Sequence, residues 1–372
     1  MDPKAYWIGF NRIRGIGAVR VQQLLEYFGS LDVAWNAPYE TLRQAGLGDK
    51  LTNSLIQSRR NIDLELEIQK LANLGIHALI CKEEGYPKRL KEIENPPPVI
   101  YFRGEFKPED DRAVAIVGTR QKTAYGRQIT EELSSFLVQN GITVVSGLAR
   151  GIDSIAHDAS LKAGGRTIAV LGSGVDQIYP PEHNHLADEI MKNGVLISEF
   201  AIGTPPDGIN FPPRNRVISG LSLATVVVEA GETSGALITA TFAANQGREV
   251  FAVPGNIYSP KSKGTNRLIR DGARPLLDFN EILESLNLGN ISEYHYAQRA
   301  LPSDEIESIL INALSKEPMH IDDLQATTGQ PIEKVSAALI MMELKGMVRQ
   351  VNPSTYLAIR EDTELYEVNK NG

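Results

Sequence analysis

The sequence predicts an α/β fold: a doubly wound, mostly parallel sheet between Ala113 and Leu277, with a small N-terminal helical domain and a C-terminal winged-helix domain. Short β-branched apolar runs recur through the central region and stop at small or polar residues. Amphipathic stretches of helical length, such as 124–139 and 235–246, separate these runs. This alternation is typical of buried parallel strands joined by crossover helices. The predicted strands are 113–117, 142–145, 167–171, 195–197, 225–228 and 249–253.

Two motifs follow the first two predicted strands. They are Gly118-Thr119-Arg120 and the run Ser146-Gly147-Leu148-Ala149-Arg150. Ligands of such sheets bind outside the carboxyl ends of the strands. Glycine permits a tight turn there, arginine binds phosphate bidentately, and a following helix offers free N–H groups. Either motif alone would favour an ordinary strand-to-helix turn with a surface arginine, but together they predict a phosphate-binding edge.

The segment Asn210-Phe211-Pro212-Pro213-Arg214-Asn215-Arg216 places an aromatic ring beside two arginines and two amides. Its prolines and polar residues predict a loop in which Phe211 faces outward, although a core position is the usual place for Phe. A base stacked on such a ring contributes about 1 to 3 kcal/mol without selecting sequence. The arginines would then hold a nucleic-acid backbone. Alternatively, one of them pairs with Glu199 or Glu229, and we expect one of the two to be structural.

Two later stretches lead to the same edge. Ser234 is a plausible N-cap for a helix that begins at Gly235, and the positive end of that helix would face the edge. The stretch 261–267 follows the last strong strand and adds cations and an amide, among them Lys261, Lys263 and Asn266. The alternative for this second stretch is a solvated loop.

Cofactor, metal and catalytic sites are not indicated. Gly172-Ser173-Gly174 begins like a dinucleotide fingerprint, but Gln177 occupies the position of the third small residue, and the chain has no P-loop motif. The single cysteine, Cys81, excludes a Cys-based zinc site, and the histidines match no standard metal pattern. We therefore expect no cofactor, no metal and no catalytic set.

The N-terminal region contains two similar units. Residues 12–18 and 45–50 each carry a Gly-x-Gly turn followed by a helical pattern. This resembles a tandem helix-hairpin-helix module, whose turns present N–H groups to phosphate. A small helical packing domain, with glycines that only close the turns, remains an equal alternative.

Domain boundaries follow changes of pattern and composition. Gly85-Tyr86-Pro87 and Pro96-Pro97-Pro98 interrupt regular structure, so their region is interpreted as an ordered connector with one or two short strands. The predicted segments are a helical domain (1–75), the connector (76–111), the sheet domain (112–280), a linker (281–302), the winged helix (303–360) and a tail (361–372).

Charge is distributed unevenly along the chain. The formal net charge is −8, yet residues 112–274 contain 16 basic and 14 acidic residues, whereas residues 275–372 contain 7 and 16. A polyanion would therefore have to be bound by locally clustered Arg and Lys of the middle domain. The winged helix is acidic, so we interpret it as a protein-contact or regulatory module rather than a strong DNA binder.

The cellular compartment is expected to be the cytoplasm. A single cysteine fits a reducing compartment. No apolar run approaches 18 residues, and no cationic-then-apolar signal peptide is present. We expect no membrane contact.

Five motifs resemble those of the DNA-processing protein A family, and the likeness extends to both flanking domains. The motifs are Gly118-Thr119-Arg120, 146–153, 211–216, 234–239 and Val253-Pro254-Gly255. The resemblance implies an extended Rossmann-like domain that binds single-stranded DNA, forms dimers and helps to load the RecA recombinase during natural transformation, without catalytic activity. The implied DNA-binding residues are Gly118, Thr119, Arg120, Ser146, Gly147, Arg150, Asn210, Phe211, Arg214, Asn215, Arg216, Ser234, Gly235, Lys263 and Asn266.

Related folds keep another possibility open. Some Rossmann-like proteins are nucleotide-cleaving phosphoribohydrolases that use a glutamate at a strand end, and Glu229 occupies such a place. The Pro-Gly-Gly-x-Gly-Thr signature of those enzymes is absent from this chain. A nucleotide-sensing module is the third alternative.

Overall fold

The computed structural model describes residues 2–288, 305–314, 318–344, 348–352 and 354–358. The chain divides into two compact units, with the boundary after Leu288. Most of the predicted linker and the whole of the predicted tail, 361–372, lie outside the described residues. Each unit is considered by itself.

Within the described part of the first unit, nine strands form one sheet. The apolar runs predicted from the sequence lie in it, with bounds within one or two residues of those expected. The strands are β1 (His77–Ile80), β2 (Val99–Gly104), β3 (Ala113–Val117), β4 (Thr143–Ser146), β5 (Thr167–Val170), β6 (Gly194–Ser198), β7 (Ala224–Val227), β8 (Glu249–Ala252) and β9 (Arg274–Pro275).

The strand order is β1-β2-β6-β5-β4-β3-β7-β8-β9. The seven strands β3 to β9 pair in parallel with one another in the sheet. The pairs β1–β2 and β2–β6 are antiparallel. The predicted mostly parallel sheet is therefore confirmed. The segment interpreted as a connector contributes the antiparallel edge. Every residue of β3 to β7 is buried, which explains why these strands lack polar alternation.

Helices cover the sheet where the amphipathic stretches predicted them. Thr123 accepts a hydrogen bond from the Gly126 N–H (3.1 Å) and so caps the longest of these helices. They are α7 (Lys88–Lys91), α8 (Ala124–Gln139), α9 (Ile152–Lys162), α10 (Asn184–Asn193), α11 (Phe211–Gly220), α12 (Gly235–Asn245), α13 (Lys263–Arg270) and α14 (Asn280–Ser285). Short 3-10 turns occur at Pro108–Asp111, Pro181–His183 and Gly208–Asn210.

The N-terminal helices precede the sheet and pack on it. Gly15 and Gly46 have φ of 94° and 88°, a region that favours glycine, so each Gly-x-Gly turn needs its first glycine. Asn11 joins the helices to the sheet, because it accepts from the Tyr101 hydroxyl (3.0 Å) and donates to the Glu199 carbonyl (3.2 Å). The helices are α1 (Lys4–Asn11), α2 (Ala18–Phe28), α3 (Leu31–Asn36), α4 (Tyr39–Gln44), α5 (Asp49–Asn61) and α6 (Leu64–Asn73).

The second unit has the predicted winged-helix arrangement. Three helices pack around a buried cluster that includes Leu310, Leu324 and Leu339, and a small antiparallel sheet forms the wing. Among the described residues, no helix combines the length and apolarity required to cross a membrane. The elements are α15 (Glu305–Leu314), β10 (Met319–His320), α16 (Ile321–Thr328), α17 (Ile332–Leu344), β11 (Val348–Asn352) and β12 (Thr355–Ala358).

A buried carboxylate fixes the amino-terminal edge of the large sheet. Asp110 accepts two hydrogen bonds from Arg166 (3.0 and 2.7 Å), one from the Thr143 hydroxyl (2.9 Å) and one from the Lys107 N–H (2.9 Å). The Asp110 side chain is only 6% exposed. These four hydrogen bonds therefore connect the amino-terminal ends of β3, β4 and β5.

Replacing Asp110 with Ala should lower the free energy of unfolding by about 3 kcal/mol, because the change leaves the Arg166 charge partly buried without its partner. Urea unfolding of the full chain measures the loss. Asp158→Ala is the matched control: its ion pair with Lys162 is exposed, so its removal should cost less than about 1 kcal/mol. Equal losses for the two variants would contradict this role of Asp110.

Candidate functional site

A cleft with a volume of about 990 Å³ opens at the carboxyl edge of the sheet. It lies where β3 meets β7. The strand order changes direction there, because β4, β5 and β6 lie on one side of β3, whereas β7, β8 and β9 lie on the other. Open α/β sheets bind ligands at such a switch point. Loops that follow six strands, β3 to β8, contribute to its lining.

The loop after β3 supplies one wall of the cleft. A Cβ atom at Gly118 would lie 2.6 Å from Ile152 and 3.0 Å from the Glu229 carbonyl, so only glycine fits there. The Thr119 N–H donates to that same carbonyl (2.8 Å). Arg120, the next residue, is exposed and lines the cleft. The backbone is thus anchored while the cation remains available to a ligand.

Glu229 holds this wall from beneath. Its carboxylate accepts from the Thr123 N–H (2.9 Å) and from the Thr123 hydroxyl (2.6 Å), one bond to each oxygen. Glu229 is 3% exposed. These hydrogen bonds position the N-terminus of α8. They also occupy both carboxylate oxygens, the atoms with which a nucleotide-cleaving enzyme would act on its substrate.

The segment from Asn210 to Arg216 is not the predicted loop. Helix α11 begins at Phe211, directly after a 3-10 turn that includes Asn210. Pro212 and Pro213 occupy the first helical turn, where a missing N–H costs nothing and the fixed φ favours the helix. The predicted loop is therefore wrong: at this position the prolines mark the start of a helix.

The Phe211 ring lies between the cleft and a small neighbouring cavity. It packs over Gly172, where a Cβ would lie 2.6 Å from the ring. The guanidinium groups of Arg120 and Arg214 are 5.7 and 5.8 Å from its centroid, and the Tyr179 ring is 5.9 Å away. Phe211 is half-buried, so it neither faces fully outward nor belongs to the core.

Arg214 lies beneath the cleft. Its guanidinium donates to the carbonyls of Gly147 (2.8 Å) and Val170, and only 5% of the residue is exposed. Burial lowers the pKa of Arg214 to about 10, against the opposing effect of Asp153. Burial likewise raises the pKa of Asp153, which Arg214 opposes. Arg214 stays cationic at neutral pH and organises backbone from β4 and β5.

Arg216 is also held internally. It forms an ion pair with Glu199, and the two side chains are 17% and 13% exposed. The sequence predicted one structural arginine in this segment, whereas the structure gives internal partners to both Arg214 and Arg216. The sequence does not show that both arginines have internal partners. Residues two positions apart on a helix point in different directions, so Arg214 and Arg216 meet different partners.

The loops after β7 and β8 form the opposite wall. The Ser234 hydroxyl accepts from the Ala236 N–H (3.4 Å), which confirms Ser234 as the N-cap of α12. The α12 N-terminus borders the cleft and adds the partial positive charge of a helix end. Lys261 lines this wall and donates to the Gln121 side chain across the cleft mouth (2.9 Å).

Not all of the predicted binding residues meet in the cleft. Its lining includes eight of them: Gly118, Thr119, Arg120, Phe211, Arg214, Asn215, Ser234 and Gly235. Gly147 and Arg150 border the small neighbouring cavity instead. Five are absent from both linings: Ser146, Asn210, Arg216, Lys263 and Asn266.

Several of the outlying residues have internal tasks. The Ser146 hydroxyl is fully buried and donates to the Ile116 carbonyl (2.6 Å). The Asn266 amide bonds both the N–H and the carbonyl of Gly255 (3.2 and 2.9 Å). Lys263 pairs with Glu232 at the surface (3.4 Å).

The candidate set omitted Lys261 and Tyr179, which both line the cleft. A signal for each was present in the sequence, because Lys261 follows β8 and Tyr179 follows β5. Of the charged residues in the lining, three are basic (Arg120, Arg214, Lys261) and one is acidic (Asp153). The cleft therefore favours an anion although the whole chain is acidic.

The histidines near the edge are packing residues. His157 is fully buried and its Nδ1 lies 2.7 Å from the Thr167 hydroxyl, while the His183 Nδ1 lies 2.9 Å from the Leu148 carbonyl. In the described parts of the chain, no three His, Cys, Asp or Glu side chains are grouped so that they could hold a metal ion.

His157 should make stability depend on pH. Burial lowers the pKa of His157 from 6.5 to about 3, with the nearby His183 and Arg214 acting in the same direction. Between these values the unfolded chain binds more protons than the folded chain, so stability falls as pH falls. From pH 7.5 to pH 5 this residue should remove about 2 kcal/mol, at about 1.4 kcal/mol per pKa unit.

Urea unfolding of the wild type and of His157→Asn at the two pH values measures this contribution. The pH-dependent loss should be smaller by about 2 kcal/mol in His157→Asn, whatever the variant's stability at pH 7.5. The exposed His185→Asn variant is the control and should follow the wild type. An unchanged pH dependence in His157→Asn would refute the assignment.

Comparison with known proteins identifies the family to which the chain belongs. The family model for DNA recombination-mediator protein A matches residues 77–287, and the model for the DprA winged helix domain matches residues 296–352. A protein named Smf from Synechocystis is 35% identical over 384 aligned residues, which cover 93% of this chain and 96% of that protein.

Solved structures agree with these matches. The X-ray structure of DNA processing protein A from Streptococcus pneumoniae has a TM-score of 0.66 at 32% identity, covering 76% of this chain and 97% of that one. DNA processing protein A from Helicobacter pylori, whose structure was described for its single-stranded DNA binding mode, has a TM-score of 0.52 at 31% identity and covers 57% and 95%. This chain belongs to the DNA recombination-mediator protein A family of DNA-processing proteins.

Proposed function

We propose that this chain binds single-stranded DNA along the cleft at the carboxyl edge of its sheet. The observation that carries the proposal is the cleft lining, which joins the exposed Arg120, the half-buried Lys261, a helix N-terminus and a half-buried aromatic ring at one switch point. Phosphates suit the cations and the free N–H groups. A base suits the aromatic surface, because stacking needs no particular base.

The contacts divide by task. Arg120 and Lys261, on opposite walls, would bind phosphates, and the N–H group of Gly235 at the α12 N-terminus would assist them. Bases would stack near Phe211. A duplex keeps its bases stacked on one another, so it cannot offer them to a ring without being opened. The arrangement therefore favours single strands over duplexes, with little sequence preference.

We further propose that the chain acts as a recombination mediator: it protects incoming single strands in the cytoplasm and loads RecA onto them during natural transformation, as a homodimer. The description of its family and the single-stranded DNA binding of the Helicobacter pylori relative support this role. No catalytic step is included, since Thr123 already engages both carboxylate oxygens of Glu229.

Binding should distinguish strands from duplexes and should weaken with salt. In a titration, the affinity for a fluorescent oligothymidine should be at least about tenfold higher than the affinity for a duplex of the same length. This is a difference of about 1.4 kcal/mol in binding free energy. If Arg120 and Lys261 each neutralise one phosphate, the slope of log affinity against log salt is about −1.4. Equal affinities for the two DNA forms would count against the proposal.

The arginines near Phe211 should behave differently when each is replaced by alanine. Arg120→Ala should weaken oligothymidine binding roughly tenfold or more, the value of one charged hydrogen bond, and should leave the unfolding midpoint almost unchanged. Arg214→Ala should lower the free energy of unfolding by about 3 kcal/mol or more, because it leaves two buried carbonyls without their charged donor and removes the nearby positive charge that favours ionised Asp153. Oligothymidine titration and urea unfolding of both variants give the comparison. A stability loss in Arg120→Ala with wild-type binding would make Arg120 structural and overturn its assignment.

A further inference from the structure

Tyr179 follows β5 and stands beside Phe211 at the border of the cleft. The two ring centroids are 5.9 Å apart with an interplanar angle of 33°, so the rings form one tilted aromatic surface. Tyr179 is 37% exposed, whereas Phe211 is half-buried. Of the two rings, Tyr179 is the more open to a ligand.

The surroundings of Phe211 limit what that ring alone can offer. Gly172 lies against it, and the guanidinium groups of Arg120 and Arg214 are within 6 Å of its centroid. Arg214 is fixed by its carbonyl partners and cannot withdraw. A base that enters the cleft therefore meets a ring already in contact with two cations, next to a second ring with a larger exposed fraction.

A further cation lies on the same side. Arg150 borders the small cavity that Tyr179 and Phe211 also line. It pairs with Glu182, and both side chains are about half exposed (54% and 49%). Exposed ion pairs contribute little net stability, so a phosphate can take the place of the Glu182 carboxylate. Next to Tyr179 there is thus a position for a phosphate as well as for a base.

We propose that Tyr179 is a second base-stacking residue, which extends the path of a bound single strand from the cleft toward the loop after β5, with Arg150 binding the adjacent phosphate. Successive bases of a single strand stack on successive aromatic side chains in proteins that bind it without sequence preference. The inference rests on the proposed function, because it names a contact within the same DNA site.

Abasic DNA separates stacking from phosphate binding. The full chain and its Tyr179→Ala, Tyr179→Phe and Tyr27→Ala variants are titrated with a fluorescent oligothymidine and with an abasic deoxyribose-phosphate oligomer of the same length. Tyr27 is the matched control, since it is 48% exposed but lies on α2. Tyr179→Ala should bind oligothymidine about tenfold more weakly than the wild type. Its affinity for the abasic oligomer should equal that of the wild type. Tyr179→Phe and Tyr27→Ala should retain wild-type affinity for both.

Equal losses for the two oligomers in Tyr179→Ala, or no loss for either, would overturn the inference and leave the proposed function intact. If the wild-type chain failed to bind oligothymidine at all, both would fall. Tyr179→Trp supplies a readout that does not depend on the alanine variant. Its added fluorescence should be quenched by oligothymidine and not by the abasic oligomer, and equal quenching by both would also overturn the inference.

Discussion

The buried guanidinium of Arg214 is the interaction on which the carboxyl edge of the sheet depends. It comes from α11, donates to the Gly147 and Val170 carbonyls at the ends of β4 and β5, and faces the buried Asp153. Burial lowers its pKa to about 10, yet it keeps its charge at neutral pH because that value is still well above 7. Three elements that are distant in sequence are therefore held at one point by a single cation.

The same arrangement leaves other cations free. Arg214 donates to main-chain carbonyls, and Arg216 forms an ion pair with Glu199. Glu229 accepts from Thr123 and so holds the loop after β3 in place. The wall after β3 is thereby fixed without using Arg120. Lys261 donates to the neutral Gln121 amide rather than to a carboxylate, so its charge also remains available to an anion. Rigid support beneath exposed cations reduces the ordering cost when a flexible ligand such as a single strand binds.

Charge also has to be considered locally. The chain carries −8 in total, but the acidic excess belongs to residues 275–372. In the cleft three basic residues face one acid, and that acid, Asp153, is buried against Arg214. Surface potential falls off within about a Debye length, roughly 8 Å at physiological salt. The charges that line the cleft, rather than the sum over the whole chain, therefore decide whether this cleft attracts a phosphate.

The sheet, its crossover helices, the winged helix and the glycine turns at the strand ends could all be predicted from the sequence, because each depends on local periodicity or on a local backbone requirement. It also determined Ser234 as a cap. Which polar residues meet in the cleft became visible only in the folded chain. Arg120 and Arg214 look alike in the chain, yet one is exposed and the other is buried under backbone that lies 67 residues away. Tyr179 joins Phe211 for the same reason: contacts between neighbouring strands are set by strand order, which local sequence does not encode.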